Sequence, residues 1–253
     1  MKVDVLILAG AQNKGALKEY SSQRHEALIE IKNKPMVEYV IRAVNNSQST
    51  DRVALVGPTK ELTDSLNEDV DILVESAESM IDNIRAGVEK LASNKYILVV
   101  TSDIPLISRE VVDKYIDLCQ EREADIYFPI ISRDICEDKF PEVERTYVKL
   151  AEGTYTGGNI ILMKSDVFMD ILGILSKVIQ GRKKPWKLSK LLGFKFIIKY
   201  FLGRLHLKEI EDRISDIIGY QGKGLIVDYP EVGFDIDKPS DLRLMRQKYS
   251  ILL

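Results

Sequence analysis

Short apolar runs alternate with amphipathic stretches along most of the chain, which is the pattern of an α/β fold. The apolar runs are rich in β-branched residues and predict strands. They are VDVLIL, RVALVG, DILVE, YILVVT and DIYFPI. The segments between them, such as SMIDNIRAGVEKLA, carry apolar residues at helical spacing and predict helices. Because this alternation produces right-handed crossovers, we expect a three-layer α/β/α sandwich with a mostly parallel central sheet.

The rest of the chain is organised around YILVVTSDIPLIS, residues 96–108. This apolar run ends in Thr101, Ser102 and Asp103, and Pro105 prevents a central strand from continuing. In open α/β sheets ligands bind beyond the carboxyl ends of the strands, so Asp103 is positioned to hold a metal-bound phosphate. The alternative is that Asp103 caps the next helix, but Ser108 is the better cap.

The segment after the first strand, AGAQNKGALKEYSSQR, is polar and contains Gly10 and Gly15, which allow a ligand to approach the backbone closely. It matches neither the dinucleotide-binding glycine pattern nor a P-loop. By itself it indicates only a loop that is able to approach a phosphate.

Near the end of the sequence, FDIDKPSDL places Asp235 and Asp237 two residues apart in an extended segment, and we expect only one of them to face the cleft. Together with Asp103, this acidic segment predicts one Mg²⁺ held between protein carboxylates and a triphosphate. Gly157 and Gly158 precede another apolar run. They mark either a β-bulge or, with the adjacent Asn159, a surface that presents polar groups to a ligand.

We expect one domain over residues 1–253 with a helical, basic insertion at about 165–220. Between Asp170 and Glu209 the chain has no acidic residue. Its ten cations there are Lys177, Arg182, Lys183, Lys184, Lys187, Lys190, Lys195, Lys199, Arg204 and Lys208. Such a stretch could form a solvated helix pair that packs on the sheet, bind a phosphorylated substrate, or lie on an anionic membrane surface. A peripheral membrane or lipid-linked acceptor contact through residues 177–208 is therefore one hypothesis.

Composition narrows the class of protein. A net charge of −3 gives no argument for nucleic-acid binding. Cys119 and Cys136 are too few and too far apart for a zinc site or a redox pair, which favours a reducing compartment. No secretory leader and no apolar run of about 18 residues is visible, so we expect a cytoplasmic protein.

Five segments occur in an order that resembles the MobA-like nucleotidyltransferase family, which includes molybdenum-cofactor and sugar-1-phosphate or polyol-phosphate nucleotidyltransferases. They are LILAGA, IEIKNKPMVEYVIRAV, VVTSDIPLI, TGGNIIL and FDIDKPSDL. The resemblance implies a Rossmann-like nucleotidyltransferase fold and a Mg²⁺-dependent transfer of a nucleoside monophosphate from a nucleoside triphosphate to a phosphorylated acceptor, with release of pyrophosphate.

The resemblance also implies roles for individual residues. Asp103 and Asp237 would bind the metal, with Asp235 the weaker candidate. The nucleotide would contact Leu8, Ala9, Gly10, Ala11, Gln12, Asn13, Gly15, Ser79, Asn83 and Ser102. The acceptor would meet Thr156, Gly157, Gly158 and Asn159.

One departure from the family pattern is Glu26, which stands where relatives carry a phosphate-binding lysine. Lys14 or Lys18 is our candidate for the missing charge, because a long cationic side chain on this loop can reach a phosphate, and Arg24 is a further candidate. An acceptor phosphate is already anionic, so His25 and His206 need not act as bases. Two alternatives remain. One is a catalytically silent nucleotide-binding protein. The other is a nucleotide-sugar-dependent glycosyltransferase, because the segment Asp235–Asp237 resembles the metal-binding acidic motif of those enzymes.

Overall fold

A mixed nine-stranded sheet forms the centre of the computed structural model, which describes residues 1–181 and 193–249. Its strands follow the order β5-β4-β1-β6-β10-β7-β9-β8, with β11 paired to β7, while β2 and β3 form a separate small sheet. The strands are β1 Val3–Leu8, β2 Glu30–Ile31, β3 Lys34–Pro35, β4 Thr50–Gly57, β5 Ile72–Glu75, β6 Tyr96–Thr101, β7 Ile126–Ser132, β8 Val148–Lys149, β9 Thr154–Gly157, β10 Ile160–Lys164 and β11 Gly222–Val227.

The half of the sheet that carries the first strands is parallel. β1 pairs in parallel with both β4 and β6, and β4 pairs in parallel with β5. β10 runs antiparallel between β6 and β7, and β8 and β9 add an antiparallel arm. The predicted α/β fold class is confirmed, and β8, β9 and β10 are what make the sheet mixed.

Helices cover both faces of the sheet. Their bounds are α1 Met36–Asn45, α2 Thr59–Ser65, α3 Met80–Leu91, α4 Arg109–Gln120, α5 Arg133–Lys139, α6 Ser165–Gly181, α7 Phe194–Phe201, α8 Leu207–Ile218 and α9 Pro239–Leu244.

Successive residues of β1 point into different cores, because side chains alternate across a strand. Val5 and Ile7 pack in one core with residues of α1 and α4. Leu6 packs in the other with residues of α3 and α6. This alternation is what produces the three layers, since each sheet face is closed by its own helices.

A third apolar cluster supports the acidic end of the chain. The rings of Phe140 and Phe234 lie 5.0 Å apart, and Tyr249 packs edge-on against both. Ile236 and Leu242 are buried in the same cluster. The segment after α5 and the segment before α9 are therefore fixed relative to each other.

The run ALIEI, whose composition also suggests a short strand, is a strand only at the two residues of β2; its first residues belong to a 3₁₀ turn, Glu26–Leu28, in which Ala27 and Leu28 pack into the main core. The stretch expected to be helical over about 165–220 contains α6, α7 and α8. The cations Arg182, Lys183, Lys184, Lys187 and Lys190 fall outside the described residues. Within the part of the chain that is described, no helix combines the length and apolar character needed to cross a membrane.

Candidate active site

The carboxyl ends of β1, β5 and β6 open into a cavity of about 790 Å³, which we call the first cavity. The loops that follow these strands provide its walls, as expected for ligand sites in open α/β sheets. Its lining residues are Leu8, Gly10, Ala11, Gln12, Lys14, Glu26, Ser76, Ala77, Glu78, Met80, Asn83, Thr101, Ser102 and Asp103.

A second cavity, of about 360 Å³, is lined by the segment after α5, by β9 and by the acidic segment before α9. Its lining residues are Glu144, Arg145, Thr146, Thr156, Asp235, Asp237, Lys238 and Asp241. Asp103 lines the first cavity and Asp235 and Asp237 line the second. Carboxylate oxygens of the three lie within 4.8 Å of one another. The carboxylate cluster therefore stands where the two cavities meet.

Backbone hydrogen bonds hold this cluster together. The N–H of Ser102 donates to the Leu8 carbonyl over 3.2 Å, and the N–H of Ile236 donates to the Asp103 carbonyl over 3.0 Å. Ile236 is fully buried on the opposite side of its segment. Residues two apart in an extended chain share a face, so Asp235 and Asp237 both point toward Asp103. The expectation that only one of them faces the cleft was wrong for this reason.

The start of α9 orients Asp237. The buried carboxylate of Asp241 accepts hydrogen bonds from the N–H groups of Asp237 and Lys238, at 3.3 and 3.1 Å. Burial raises the pKa of Asp241, although these two hydrogen bonds oppose that shift. The helix start thus fixes the backbone from which the Asp237 side chain projects.

Negative charge accumulates at the cluster. Burial raises the pKa of Asp103 to about 7; the Thr101 side chain opposes this shift, and the neighbouring carboxylates of Asp235 and Asp237 add to it. The pKa of Asp237 is also raised, by burial and then by Asp235 and Asp241. Asp235 forms an ion pair with Arg145. An acidic group whose charged form is disfavoured in this way either holds a proton or ionises beside a positive partner.

The donor set fits a magnesium ion. The Oδ1 atom of Asp103 is buried and accepts no hydrogen bond from the described residues. It lies next to two further carboxylates, and hard oxygen donors are the ligands that Mg²⁺ prefers. Asp103, Asp235 and Asp237 would hold the ion, with Asp235 contributing although the sequence made it the weaker candidate.

Gly10 is required by close packing in the first cavity. A Cβ atom at this position would lie 2.6 Å from the Nδ2 atom of Asn83 and 2.9 Å from the Cβ atom of Ser76. The Asn83 side chain is buried and its Oδ1 atom accepts the N–H of Ala77 over 2.6 Å. The loops after β1 and β5 therefore meet at a contact that has no room for a side chain.

The loop after β1 folds back on itself. Asn13 donates from its amide to the carbonyls of Ser21 and Gln23, at 3.2 and 3.0 Å. The N–H of Glu26 donates to the Ala11 carbonyl over 3.0 Å. This closure brings Glu26 to the wall of the first cavity, where burial and then the charge of Asp237 raise its pKa.

The predicted nucleotide-binding residues fall into two groups. Leu8, Gly10, Ala11, Gln12, Asn83 and Ser102 line the first cavity. Ala9 is buried behind it, Asn13 holds the loop, and Ser79 caps α3 by accepting the N–H of Asp82. A Cβ atom at Gly15 would meet nothing within 4 Å.

The two candidate phosphate-binding lysines, Lys14 and Lys18, differ in their position relative to the first cavity. Lys14 is the one basic residue among the described residues that line the first cavity. Lys18 lies in the short 3₁₀ turn Ala16–Glu19 and lines neither cavity. The two histidines are absent from both linings, and His206 precedes α8 with its Nδ1 atom 2.9 Å from Glu152.

The predicted acceptor residues surround the turn that leads to Asp235. Thr156 lines the second cavity. The N–H of Asn159 donates to the Val232 carbonyl over 2.7 Å, and a Cβ atom at Gly158 would lie 2.8 Å from the Pro129 side chain. Gly158 and Asn159 thus support this turn, whereas Gly157 has open space around it. Contact of these residues with an acceptor stays a prediction.

Sequence reasoning missed two groups of residues. Ser76, Ala77 and Glu78 line the first cavity and follow a parallel strand, a position that could have identified them. Arg145 lies in an irregular segment between α5 and β8, and no local pattern marks it. Its position beside Asp235 exists only in the folded chain.

Comparison with known proteins identifies the family of this chain. The MobA-like NTP transferase domain matches residues 5–176. A probable molybdenum cofactor guanylyltransferase from Natranaerobius thermophilus is 29% identical over 134 residues, which is 51% of this chain and 61% of that protein. The chain thus matches less than two thirds of that relative's length.

Solved structures extend the likeness over the whole chain. A hypothetical transferase from Thermus thermophilus is 31% identical, with a TM-score of 0.85 over 96% of this chain and 100% of the other. A CMP:2-keto-3-deoxy-manno-octonic acid synthetase solved with CTP is 13% identical, with a TM-score of 0.64 and full coverage of both chains. The second likeness concerns the fold alone.

Proposed function

We propose that this chain, which belongs to the MobA-like NTP transferase domain family, transfers a nucleoside monophosphate from a nucleoside triphosphate to a phosphorylated acceptor, with Mg²⁺ required and pyrophosphate released. The observation that carries the proposal is the carboxylate cluster of Asp103, Asp235 and Asp237 between two cavities. A transfer between two substrates needs a binding site on each side of the reacting phosphorus.

The first cavity is assigned to the nucleoside triphosphate. Gly10 and Ala11 line the wall that would face the triphosphate, and Lys14 supplies positive charge at the same wall. Glu26 stands where relatives in the family carry a phosphate-binding lysine. We assign the missing positive charge to Lys14, which lines the same cavity. A bound Mg²⁺ would neutralise charge on the triphosphate and polarise its phosphorus.

The second cavity is assigned to the acceptor. Thr146 and Thr156 offer hydroxyl groups, and Arg145 and Lys238 offer positive charge. An acceptor phosphate is anionic near neutral pH, so alignment and charge stabilisation suffice without a general base. Neither histidine is assigned a role.

The test is a pyrophosphate-release assay with each nucleoside triphosphate against a panel of phosphorylated sugars and polyols. We expect release with one pairing, abolished by EDTA and restored by Mg²⁺. GTP is the first donor to try, because a relative is described as a probable guanylyltransferase. Nucleotide binding without release for every pairing would instead favour the silent nucleotide-binding protein. Transfer of a sugar from a nucleotide sugar would favour the glycosyltransferase.

For the basic stretch over residues 177–208, we propose a contact with an anionic lipid surface or a lipid-linked acceptor. At the end of α7, Phe201 and Leu202 are 80% and 62% exposed. The following residues attach to the antiparallel arm, since the N–H of Ala151 donates to the Leu205 carbonyl over 2.9 Å. The same arm contributes Thr156 to the second cavity.

Flotation with vesicles that contain anionic lipid tests this contact at low salt. We expect binding that is lost in Phe201→Ser and at high ionic strength, because both apolar insertion and charge contribute. Absence of vesicle binding by the parental protein would remove the membrane contact and leave the transfer reaction unaffected.

A further inference from the structure

We propose that Arg145 is an exchangeable counter-ion, which neutralises Asp235 in the metal-free protein and turns to the anionic group of the acceptor once a divalent cation holds the carboxylate cluster. This inference rests on the proposed function, because it assigns the second cavity to the acceptor. It makes Arg145 the residue that couples loading of the first cavity to binding in the second.

The first observation is the ion pair itself. The Arg145 guanidinium contacts the Asp235 carboxylate, and the two side chains are only 14% and 17% exposed. Largely buried charges are stable only when paired, so the guanidinium cannot leave Asp235 without a replacement cation. A divalent ion on the cluster is such a replacement.

The second observation is the charge balance of the cluster. Among the described residues, Arg145 is the cation that forms an ion pair with one of the three clustered carboxylates. Lys238, the other cation of the second cavity, pairs with Glu144 over 2.8 Å, and that glutamate is 88% exposed. A guanidinium and a divalent cation at Asp235 repel each other and compete for the same carboxylate, so occupancy by one weakens the other.

The third observation is where the guanidinium can go. The backbone near Arg145 is fixed, because Phe140 and Val143 are buried in the aromatic cluster below it. The side chain borders a cavity of about 360 Å³, and Thr146 and Thr156 line the same space. A planar guanidinium donates two parallel hydrogen bonds to a phosphate or carboxylate, which makes it well suited to hold an anionic acceptor there.

Together these observations predict an order of binding. The metal–nucleotide occupies the first cavity and the carboxylate cluster, and Arg145 is displaced from Asp235 toward the second cavity, where the anionic acceptor becomes its new partner. An acceptor that arrives first meets a guanidinium already neutralised by Asp235. The acceptor affinity is therefore higher in the metal-loaded protein.

The first experiment measures Mn²⁺ binding to the metal-free protein by electron paramagnetic resonance, without nucleotide. We expect Arg145→Gln to bind Mn²⁺ about 10-fold more tightly than the parental protein, because a competing positive charge is gone. Arg145→Lys keeps the charge and should show a smaller increase. Arg109→Gln is the matched control, because it removes an exposed arginine that pairs with Glu110 far from both cavities.

An unchanged or weaker Mn²⁺ affinity in a folded Arg145→Gln overturns the proposal, since a purely structural role of Arg145 would loosen Asp235 and weaken the metal. Failure of the parental protein to bind Mn²⁺ also overturns it. Should Arg145→Gln fail to melt cooperatively, a weaker Mn²⁺ affinity in Arg145→Lys than in the parental protein has the same consequence.

The second experiment measures binding of inorganic phosphate at saturating Mn²⁺ by calorimetry. We expect Arg145→Gln to bind phosphate about 10-fold more weakly and Arg109→Gln to match the parental protein. Equal phosphate affinity in Arg145→Gln overturns the acceptor half of the proposal. Neither experiment needs turnover, so absence of pyrophosphate release for every substrate pairing would refute the proposed function while leaving these two results interpretable.

Discussion

Replacement of Asp103 by asparagine should act in opposite directions on stability and on turnover. The side chain is half-buried beside Asp235 and Asp237, with its Oδ1 atom fully covered, and its pKa is about 7 against an ordinary value of 3.8. A pKa difference of this size corresponds to about 4 kcal/mol, at roughly 1.36 kcal/mol per tenfold change in the protonation equilibrium. This value is the upper limit of the free energy of unfolding that the metal-free protein loses when Asp103 ionises.

The direction follows from linkage. A carboxyl group whose pKa is raised by folding contributes full stability below its unfolded pKa and loses that contribution as the pH rises through the folded pKa. The metal-free parental protein should therefore lose stability between about pH 4 and about pH 7. Asp103→Asn carries no such charge, so it should exceed the parental protein by up to about 4 kcal/mol at pH 8 and match it near pH 4.

Urea unfolding in EDTA at several pH values measures this gap, with Asp117→Asn on the exposed face of α4 as the control. Added Mg²⁺ should stabilise the parental protein at pH 8 and leave Asp103→Asn unchanged. Turnover of Asp103→Asn should fall by a factor on the order of 10² to 10³, as for other principal electrostatic groups. A pH-independent gap would refute the electrostatic reasoning, and near-parental turnover would refute the metal-ligand role.

Three further predictions concern other residues. Gly10→Ala should weaken nucleotide binding by about 10-fold in calorimetry, because the new methyl group displaces the Asn83 amide; Gly173→Ala, which has open space, should not. Lys14→Ala should lower turnover by about 10-fold or more, and Lys18→Ala by less than threefold, because only Lys14 lines the first cavity. A larger loss in Lys18→Ala than in Lys14→Ala would contradict the assignment of Lys14 to the triphosphate. Tyr115→Phe should lower the free energy of unfolding by about 1–2 kcal/mol in urea, because its buried hydroxyl donates to the Tyr127 carbonyl over 2.9 Å; an unchanged value would mean that water replaces this bond.

Much of the fold could be predicted because its signals are local. The apolar runs over β1, β4, β5, β6 and β7 identify strands by composition alone, and helical spacing identifies α1, α3 and α4. Sheet order is a different matter. Nothing in the sequence of β10 indicates that it inserts antiparallel between β6 and β7, because strand pairing depends on contacts between distant segments.

The candidate site divides in the same way. Local signals place Asp103 at the carboxyl end of a buried strand, since Thr101, Ser102 and Pro105 end that strand. They also identify an acidic segment near the end of the chain and Glu26 in place of a lysine. Strand alternation already places Asp235 and Asp237 on one face, but that this face meets Asp103 depends on long-range contacts, such as the Ile236 N–H that donates to the Asp103 carbonyl. Only the tertiary structure brings Arg145 to Asp235 across 90 positions of the sequence, since an ion pair between distant segments leaves no periodic pattern.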